Sequence, residues 1–578
     1  MESKIAYLSS EFALSDDLPI YAGGLGILAA DILYQAADDN VPLVGATLFY
    51  REGFFKQQID EQGNQKHYYE KIDTEKVGLV DLDHLLEIPF PNRKVYLKIW
   101  KKDVFPTEQP NNQTTKLRES ELQPSEARTA QPASLYLLDA DLPENSPTDR
   151  KLAYRLYERV WAPHVDHDLL LGIGSVKLFR QLGIPIKTWH INDDHASFNI
   201  LERLREYLGS GLTLSQAREK VKAETVFTTH TPVGGAESKF SRQEIIPVFT
   251  ALFAGLNVNP EEIYDLGKRE LEGEEFFSLT VFAMRHARTV NAVSKKHFEV
   301  AKELWGFIDN LPLTYITNGV YSPRWTAPEL ANFSNLSDTD LWNAKLAAKK
   351  RVSSKLKLDP NALVLAWAKR FTQYKQPLLL LSDLPRLAQI LNNPEKPVYL
   401  LMSGKAHPED PQGQEFVKTV ISATHDPRLN RHLIYVPNYN LGIARDLLAA
   451  SDVWINTPVP GWEASGTSGM KAVFNGALNA STLDGWWAEG FQPEAGKQLA
   501  NGWAIDPPNA DALYQLLEEK IVPTYFASKT REASSAKSRA SFDRRGQWLA
   551  MVKEAFATCG TRFNTKRMLE EYQKLYFP

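Results

Sequence analysis

The sequence predicts an α/β protein built on two doubly wound parallel sheets. Three observations carry that prediction. Short apolar, β-branched runs alternate with stretches of helical apolar periodicity along the whole chain. Polar and charged residues gather where those runs end, which is where open α/β sheets bind ligands. The 578 residues exceed what one core needs at ~150 residues per domain, so more than one domain is expected.

Composition narrows the function classes. Apolar content of 43% with 24% charged residues is that of a soluble globular protein. A net charge of −5 gives no reason to expect nucleic acid or an anionic membrane as partner. The single cysteine, Cys559, cannot form an internal disulfide and reads as a buried free thiol in a reducing compartment. No apolar signal core and no membrane-length apolar run occur, so a cytoplasmic protein is expected. The many Trp, Tyr and Phe residues suit sugars but also fill any large core.

The elements follow in order. Lys4 to Ser9 reads as a short buried strand, and Pro19-Ile-Tyr-Ala-Gly-Gly-Leu-Gly26 leads into a helix carrying Leu28, Leu33 and Ala36. Strand, glycine turn and helix start bring N–H donors together for a phosphate, although such a turn in isolation is more often only a turn. Val41 to Phe49 is the next strand, and residues 50 to 150 predict an antiparallel extension. Within it, Pro106 to Ala133 has little to bury and reads as an exposed, disordered loop. His164 and His167 with Asp166 stand at a helix start with no third ligand evident, which predicts no metal. A helix over Asp166 to Leu182 and a strand over Ile186 to Ile191 lead to Asn192-Asp-Asp-His195 and a helix over Ala196 to Tyr207. Asp193 and His195 are thereby ligand candidates; the alternative for His195 is a helix-start histidine bonded to backbone. The strand Thr225 to Thr229 closes on His230-Thr-Pro232, Thr289 to Ser294 is another, and Leu313 to Thr317 ends in an Asn318-Gly319 turn.

Residues 321 to 360 read as the boundary. Ser337 with Asp340 forms a helix N-cap, and the lysine-rich helix after it is expected to be a solvated connector. The strand Leu363 to Ala368 opens the second half and delivers Lys369-Arg-Phe-Thr-Gln-Tyr-Lys375. Two lysines and an arginine there call for an anion, or form a solvated charged loop. Val398 to Met402 leads to Gly404-Lys-Ala-His-Pro408, Leu433 to Val436 to Pro437-Asn-Tyr-Asn440, and Val453 to Asn456 toward Glu463. From there Glu463-Ala-Ser-Gly-Thr-Ser-Gly-Met-Lys471 begins with residues small enough for backbone amides to approach an anion, with a helix start near Thr467. Lys471 follows among small and apolar neighbours, where lost hydration favours its neutral amine. A neutral lysine beside a phosphate cradle is what a pyridoxal phosphate Schiff base requires; a glycine-rich turn with a solvated lysine is the other reading.

Glu463 to Lys471 resembles, over nine consecutive positions, the E-A-S-G-T-x-x-M-K cofactor segment of the α-glucan (glycogen, starch, maltodextrin) phosphorylases, most like their short bacterial and archaeal branch. Further motifs in family order extend the resemblance over essentially the whole chain. It implies the GT-B architecture, two Rossmann-like domains facing across a cleft: residues 1–325 with a β-rich insertion at about 50–150, residues 326–560 holding pyridoxal 5′-phosphate, and a closing helix at 561–578 that returns to the first domain. By the same match Lys471 carries the cofactor, with Lys369, Gly466, Thr467, Ser468, Tyr439 and Gly24 around it, and Lys369 meets its phosphate. Arg370 and Lys375 would hold inorganic phosphate. Gly23, Gly24, Leu25, Asp193, His195, His230, Asn318, Glu463, Ala464, Ser465 and Gly466 would form the glucose side.

The implied reaction is reversible phosphorolysis of a terminal α-1,4-glucosidic bond of glucan or maltodextrin to glucose 1-phosphate with retention, the cofactor's phosphate relaying the proton. The partners are then glucan, inorganic phosphate and glucose 1-phosphate, with a homodimer as one assembly. Three departures stand out: Val233-Gly-Gly-Ala-Glu-Ser238 after His230, the Trp161 to Asp168 stretch, and Gln376 where members commonly have Arg. Two rivals are weighed. A nucleotide-sugar glucan synthase shares the architecture, but its second glutamate is replaced by Lys471. A degenerate relative would bind glucan or cofactor without catalysis. The first strand is expected almost at Met1, which predicts no counterpart of the N-terminal regulatory extension of animal glycogen phosphorylases.

Overall fold

The computed structural model describes residues 3–106, 132–157, 164–429, 431–495, 499–527 and 539–577. Most of the loop expected over Pro106 to Ala133, and residues 158–163 of the Trp161 to Asp168 stretch, lie outside them.

Two large sheets carry the chain. The first has nine strands, in the order Leu313–Tyr315, Thr289–Ala292, Thr225–Thr228, Ile186–Asn192, Lys4–Leu8, Leu43–Leu48, Ala133–Asp139, Arg93–Val104 and Val80–Phe90. The first seven are mutually parallel, and the last two are joined on by antiparallel pairing, Arg93–Val104 to Ala133–Asp139 and Val80–Phe90 to Arg93–Val104. The expected antiparallel extension is therefore an edge of the first sheet. The second sheet is wholly parallel: Leu433–Val436, Val398–Ser403, Leu363–Ala368, Val453–Asn456, Leu478–Ser481 and Gly502–Ala504. In chain order its strands lie 3-2-1-4-5-6, so direction reverses between Leu363–Ala368 and Val453–Asn456 and opens a crevice at their carboxyl ends. Leu363–Ala368 is buried throughout, as its unbroken apolar sequence requires of a strand covered on both faces.

Two expectations are corrected. The helix Asp338–Leu356 is capped by Ser337 as expected, yet it is no solvated connector. Lys345 is buried and donates to the carbonyls of Ala449, Ser451 and Asn475 at 3.1, 2.6 and 2.8 Å. Lys349, also buried, pairs with Asp452 at 2.6 Å and reaches Ala362 O at 2.7 Å. These amines tie the helix to the carbonyls of Ala449, Ser451 and Asn475 and the carboxylate of Asp452, all far away in the chain. The helix expected from Ala196 begins later, as Asn199–Gly209, after a 3₁₀ turn over Asp194–Ala196. Asp194 is held there by Ser238 and Thr280.

Polar clasps join the two halves. From the short hairpin Lys56–Ile59 with Gln65–Tyr68, Gln57 N–H donates to Asn438 Oδ1 at 2.9 Å and Asn438 N–H returns to Gln57 Oε1 at 2.7 Å. Asp16 accepts from the amides of Leu441 and Gly442, each at 2.8 Å, at the start of the helix Leu441–Ala450. Glu489 accepts from Lys295 N–H at 3.0 Å, at the start of Lys295–Leu304, and from Thr317 at 2.7 Å. The helix Thr565–Tyr576 packs on Gly24–Asp38. Its Tyr576 hydroxyl lies 2.6 Å from His190 Nδ1 beneath the first sheet's strands.

Candidate active site

A cavity of about 420 Å³ lies between the sheets, lined from both halves. Gly23, Gly24, Leu25, Asp193, His230 and Asn318 approach it from the first sheet, and Lys369, Arg370, Lys375, Tyr439, Lys471 and the run Glu463 to Ser468 from the second. Every residue singled out from the sequence thus faces it except His195. That residue lies one layer back, Nδ1 3.2 Å from Asp168 Oδ1. The hydrogen bond and charge of Asp168 outweigh burial and push the imidazole up to about 10, so His195 is charged at neutral pH.

The glycine turn holds a residue that sequence reasoning missed. Glu11 is buried at the end of the first strand. Its Oε2 accepts from the amides of Ala22, Gly23 and Gly26 at 2.8, 3.1 and 3.3 Å, and its Oε1 accepts from the Tyr157 hydroxyl at 2.5 Å. Gly26 must be glycine, because a Cβ there would lie 2.8 Å from Glu11 Cβ. The amide of Gly23, expected to reach toward an anion, is therefore committed to Glu11. Gly24 and Leu25 line the cavity without bonding this carboxylate. Glu11 carries the same signal that marked Asp193 and His230, a polar residue just past a strand, and could have been found by it.

Asp193 sits at φ +67°, ψ 171°, backbone that residues other than glycine adopt at a cost of ~1–3 kcal/mol and that clusters at functional sites. It is held by its N–H to Thr228 O at 2.9 Å and by its carboxylate accepting from Asp194 N–H at 3.1 Å. Burial, then the neighbouring Asp194, push its carboxyl up to about 7. His230 Nε2 donates to Asn192 Oδ1 at 2.8 Å, and burial with nearby His297 lowers it to about 3. The neutral ring keeps Nδ1 as an acceptor. Asn318 Oδ1 is buried and takes no hydrogen bond among the described residues, an acceptor available to the cavity.

On the second side, Lys369 donates to Ile455 O at 2.8 Å and to Asn456 Oδ1, and burial holds its amine well below the usual lysine range. Lys375 pairs with Glu463, whose own N–H donates to Asp484 Oδ2 at 2.9 Å. The run of small residues turns at Gly466, φ +73°, conformational freedom that glycine supplies. The helix Ser468–Val473 then starts with no side-chain hydrogen bond capping it, leaving first-turn amides uncommitted to a cap. Lys471 is 4% exposed. Its amine lies 3.9 Å from the Trp325 ring centre, and burial pulls it down to about 7. Lys405, also at the cavity, is pulled down to about 7 by burial. Trp325 carried no sequence signal; it comes from the stretch read as a boundary. Among the described residues no cluster of three or more His, Cys, Asp or Glu could hold a metal, and no helix is long and apolar enough to cross a membrane.

This arrangement can bind two anions and a polyol together: cations and open amides on one wall, neutral acceptors and carboxylates on the other. Residues 340–498 match the family model described as carbohydrate phosphorylase. The chain is similar to a maltodextrin phosphorylase of Thermococcus litoralis, 34% identical over 100% of this chain and 70% of that protein. It is similar to glycogen phosphorylases of Aquifex aeolicus, at 31% over 99% of this chain and 86% of that protein, and of Mycobacterium tuberculosis, at 30% over 99% and 70%.

Proposed function

The chain belongs to the carbohydrate phosphorylase family, and from that premise we propose that it catalyses reversible phosphorolysis of terminal α-1,4-glucosidic bonds in glucan or maltodextrin, releasing α-glucose 1-phosphate with retention. The observation that carries this reading is the meeting of Lys369, Arg370, Lys375 and the amine of Lys471 with the sugar-side acceptors Asp193, His230 and Asn318 in one cavity.

The residues present fit pyridoxal 5′-phosphate. The Lys471 amine, at about 7, is neutral in a large fraction of molecules near pH 7 and reaches the cavity. Lys369, Gly466, Thr467 and Ser468 would hold the phosphate, with Tyr439 and Gly24 lining the space around it. The chemistry that the group supplies when bound is an acid–base phosphate beside the substrate phosphate.

The chain's own residues do the rest. Arg370 and Lys375 hold inorganic phosphate and offset its charge against the neighbouring anion. Glu463, Ser465, Asp193 and Asn318 take the glucose hydroxyls, and His230, neutral, offers its free ring nitrogen to one of them. His195 and Asp168 brace the turn that carries Asp193. Phosphate so placed donates a proton to the leaving glycosidic oxygen and attacks the anomeric carbon, where positive charge develops. The closed crevice favours phosphate over water.

The same reading takes the two sheets as the two facing domains of a GT-B enzyme, divided near residue 325 with 561–578 closing back on the first, and the protein as cytoplasmic. The test is release of glucose 1-phosphate from maltodextrin and phosphate by protein reconstituted with pyridoxal 5′-phosphate. Release that is lost in Lys471→Ala together with near-ultraviolet cofactor absorbance is expected; no release from any maltodextrin overturns the reading.

A further inference from the structure

Trp462 stands immediately before Glu463, borders the cavity, and is 47% exposed. A lone exposed apolar side chain on a surface needs no explanation, but three features set this one apart. First, it is fixed. Val459 O accepts from Trp462 N–H at 3.1 Å, and Gly461 has φ +85°, so Val459-Pro-Gly-Trp462 forms the turn in which proline precedes a glycine of positive φ. Secondly, the turn is docked on the anion-side segment. Val459 N–H donates to Tyr374 O at 2.8 Å, and Thr457 Oγ1 donates to Lys375 O at 3.0 Å. Thirdly, no hydrogen bond engages the indole N–H among the described residues, so the side chain keeps both a wide apolar face and a donor.

An aromatic side chain on an anchored turn at a binding cleft gives contact area at low entropic cost, because only two side-chain torsions are ordered. The apolar C–H face of a pyranose ring fits such a surface, and a ring hydroxyl fits the indole donor. We propose that Trp462 is a stacking platform for α-glucan units outside the scissile bond. This rests on the phosphorolysis reading above. The terminal glucose lies inside beside Glu463, so the remainder of the chain leaves through the mouth, where Trp462 is displayed. The platform makes affinity depend on chain length: a glucan too short to reach it gains nothing from the indole.

The experiment compares wild type, Trp462→Ala and Trp462→Phe, reconstituted with pyridoxal 5′-phosphate, over a series of maltodextrins. Trp462→Ala is expected to raise KM for the longer maltodextrins on the order of tenfold, a loss of about 1.4 kcal/mol, and to flatten the dependence on length. KM for phosphate should be little changed, and Trp462→Phe should recover most of the loss. Calorimetric binding of maltoheptaose without phosphate gives a readout that needs no turnover. If wild type releases no glucose 1-phosphate at all, the activity reading fails, while weaker maltoheptaose binding by Trp462→Ala still supports the platform. Equal KM and equal maltoheptaose affinity in wild type and Trp462→Ala overturn it. If those equal values come with a changed elution volume, Trp462 belongs to an interface between copies.

Discussion

Lys375 and Glu463 form an ion pair in the wall of the cavity, and each is anchored from behind. Thr457 holds the Lys375 carbonyl, and Asp484 holds the Glu463 amide. The side chains are only 12% and 17% exposed, so the pair is screened less than a surface one.

The pair predicts a non-additive double substitution. Lys375→Gln alone leaves the Glu463 carboxylate where an anion must bind, and kcat/KM for phosphate should fall by roughly 10²–10³. In Lys375→Gln/Glu463→Gln the repelling charge is also gone, so KM for phosphate should lie below that of the single variant. Steady-state kinetics with phosphate varied decides it; a double variant as poor as the product of the singles would contradict the coupling.

Lys471 predicts stability gained at the cost of activity. Its amine falls from ~10.4 when unfolded to about 7 when folded, chiefly through burial. The unfolded state therefore binds more protons between those values. This group's contribution is fullest above ~10.4 and is lost as pH falls toward 7. Lys471→Met in cofactor-free protein should raise Tm by several degrees at pH 7, with the gain shrinking by pH 10, and abolish activity. Calorimetric melting at the two pH values checks this.

Lys345 predicts a structural loss. Truncation to Ala leaves the carbonyls of Ala449, Ser451 and Asn475 without their shared donor. With ~1–3 kcal/mol for a buried unsatisfied group, Lys345→Ala should lower unfolding free energy by roughly 3–5 kcal/mol. Urea unfolding measures it, and a change under about 1 kcal/mol would place the amine in solvent in solution.

Asp168 predicts a titration. It raises His195 to about 10, above the ~6.5 of an unfolded histidine, while burial pushes Asp168 itself up to about 6. The pairing is therefore intact around neutrality, is lost as pH rises through about 10, and weakens as pH falls below about 6. In Asp168→Asn, His195 should titrate near or below neutrality by NMR. Because His195 backs the turn carrying Asp193, glucan KM should rise while phosphate KM holds.

The sequence made the second sheet's site legible because its chemistry is local. The small residues before Lys471, the glutamate that opens them, and the cations following Leu363–Ala368 are each read from neighbours in the chain. What stayed hidden was long-range. Lys345 and Lys349 looked like solvent-facing charge because their acceptors lie more than a hundred residues away in Ala449, Ser451 and Asp452. Glu11 stands just past the first strand, where the sequence does mark it, but its bond to Tyr157, 146 residues distant, is not written in its neighbours. The sequence likewise does not reveal that His195, expected on the glucose side, is bonded to Asp168 one layer back from the cavity.

Asp16 and Glu489 cap helices belonging to opposite halves of the molecule. Neither half therefore contains every group that completes its own secondary structure. A protease cut at the exposed Ser334 or Asn335 should give a nicked protein whose two pieces stay associated, and the pieces made separately should complement one another on mixing, each supplying the carboxylate that the other lacks.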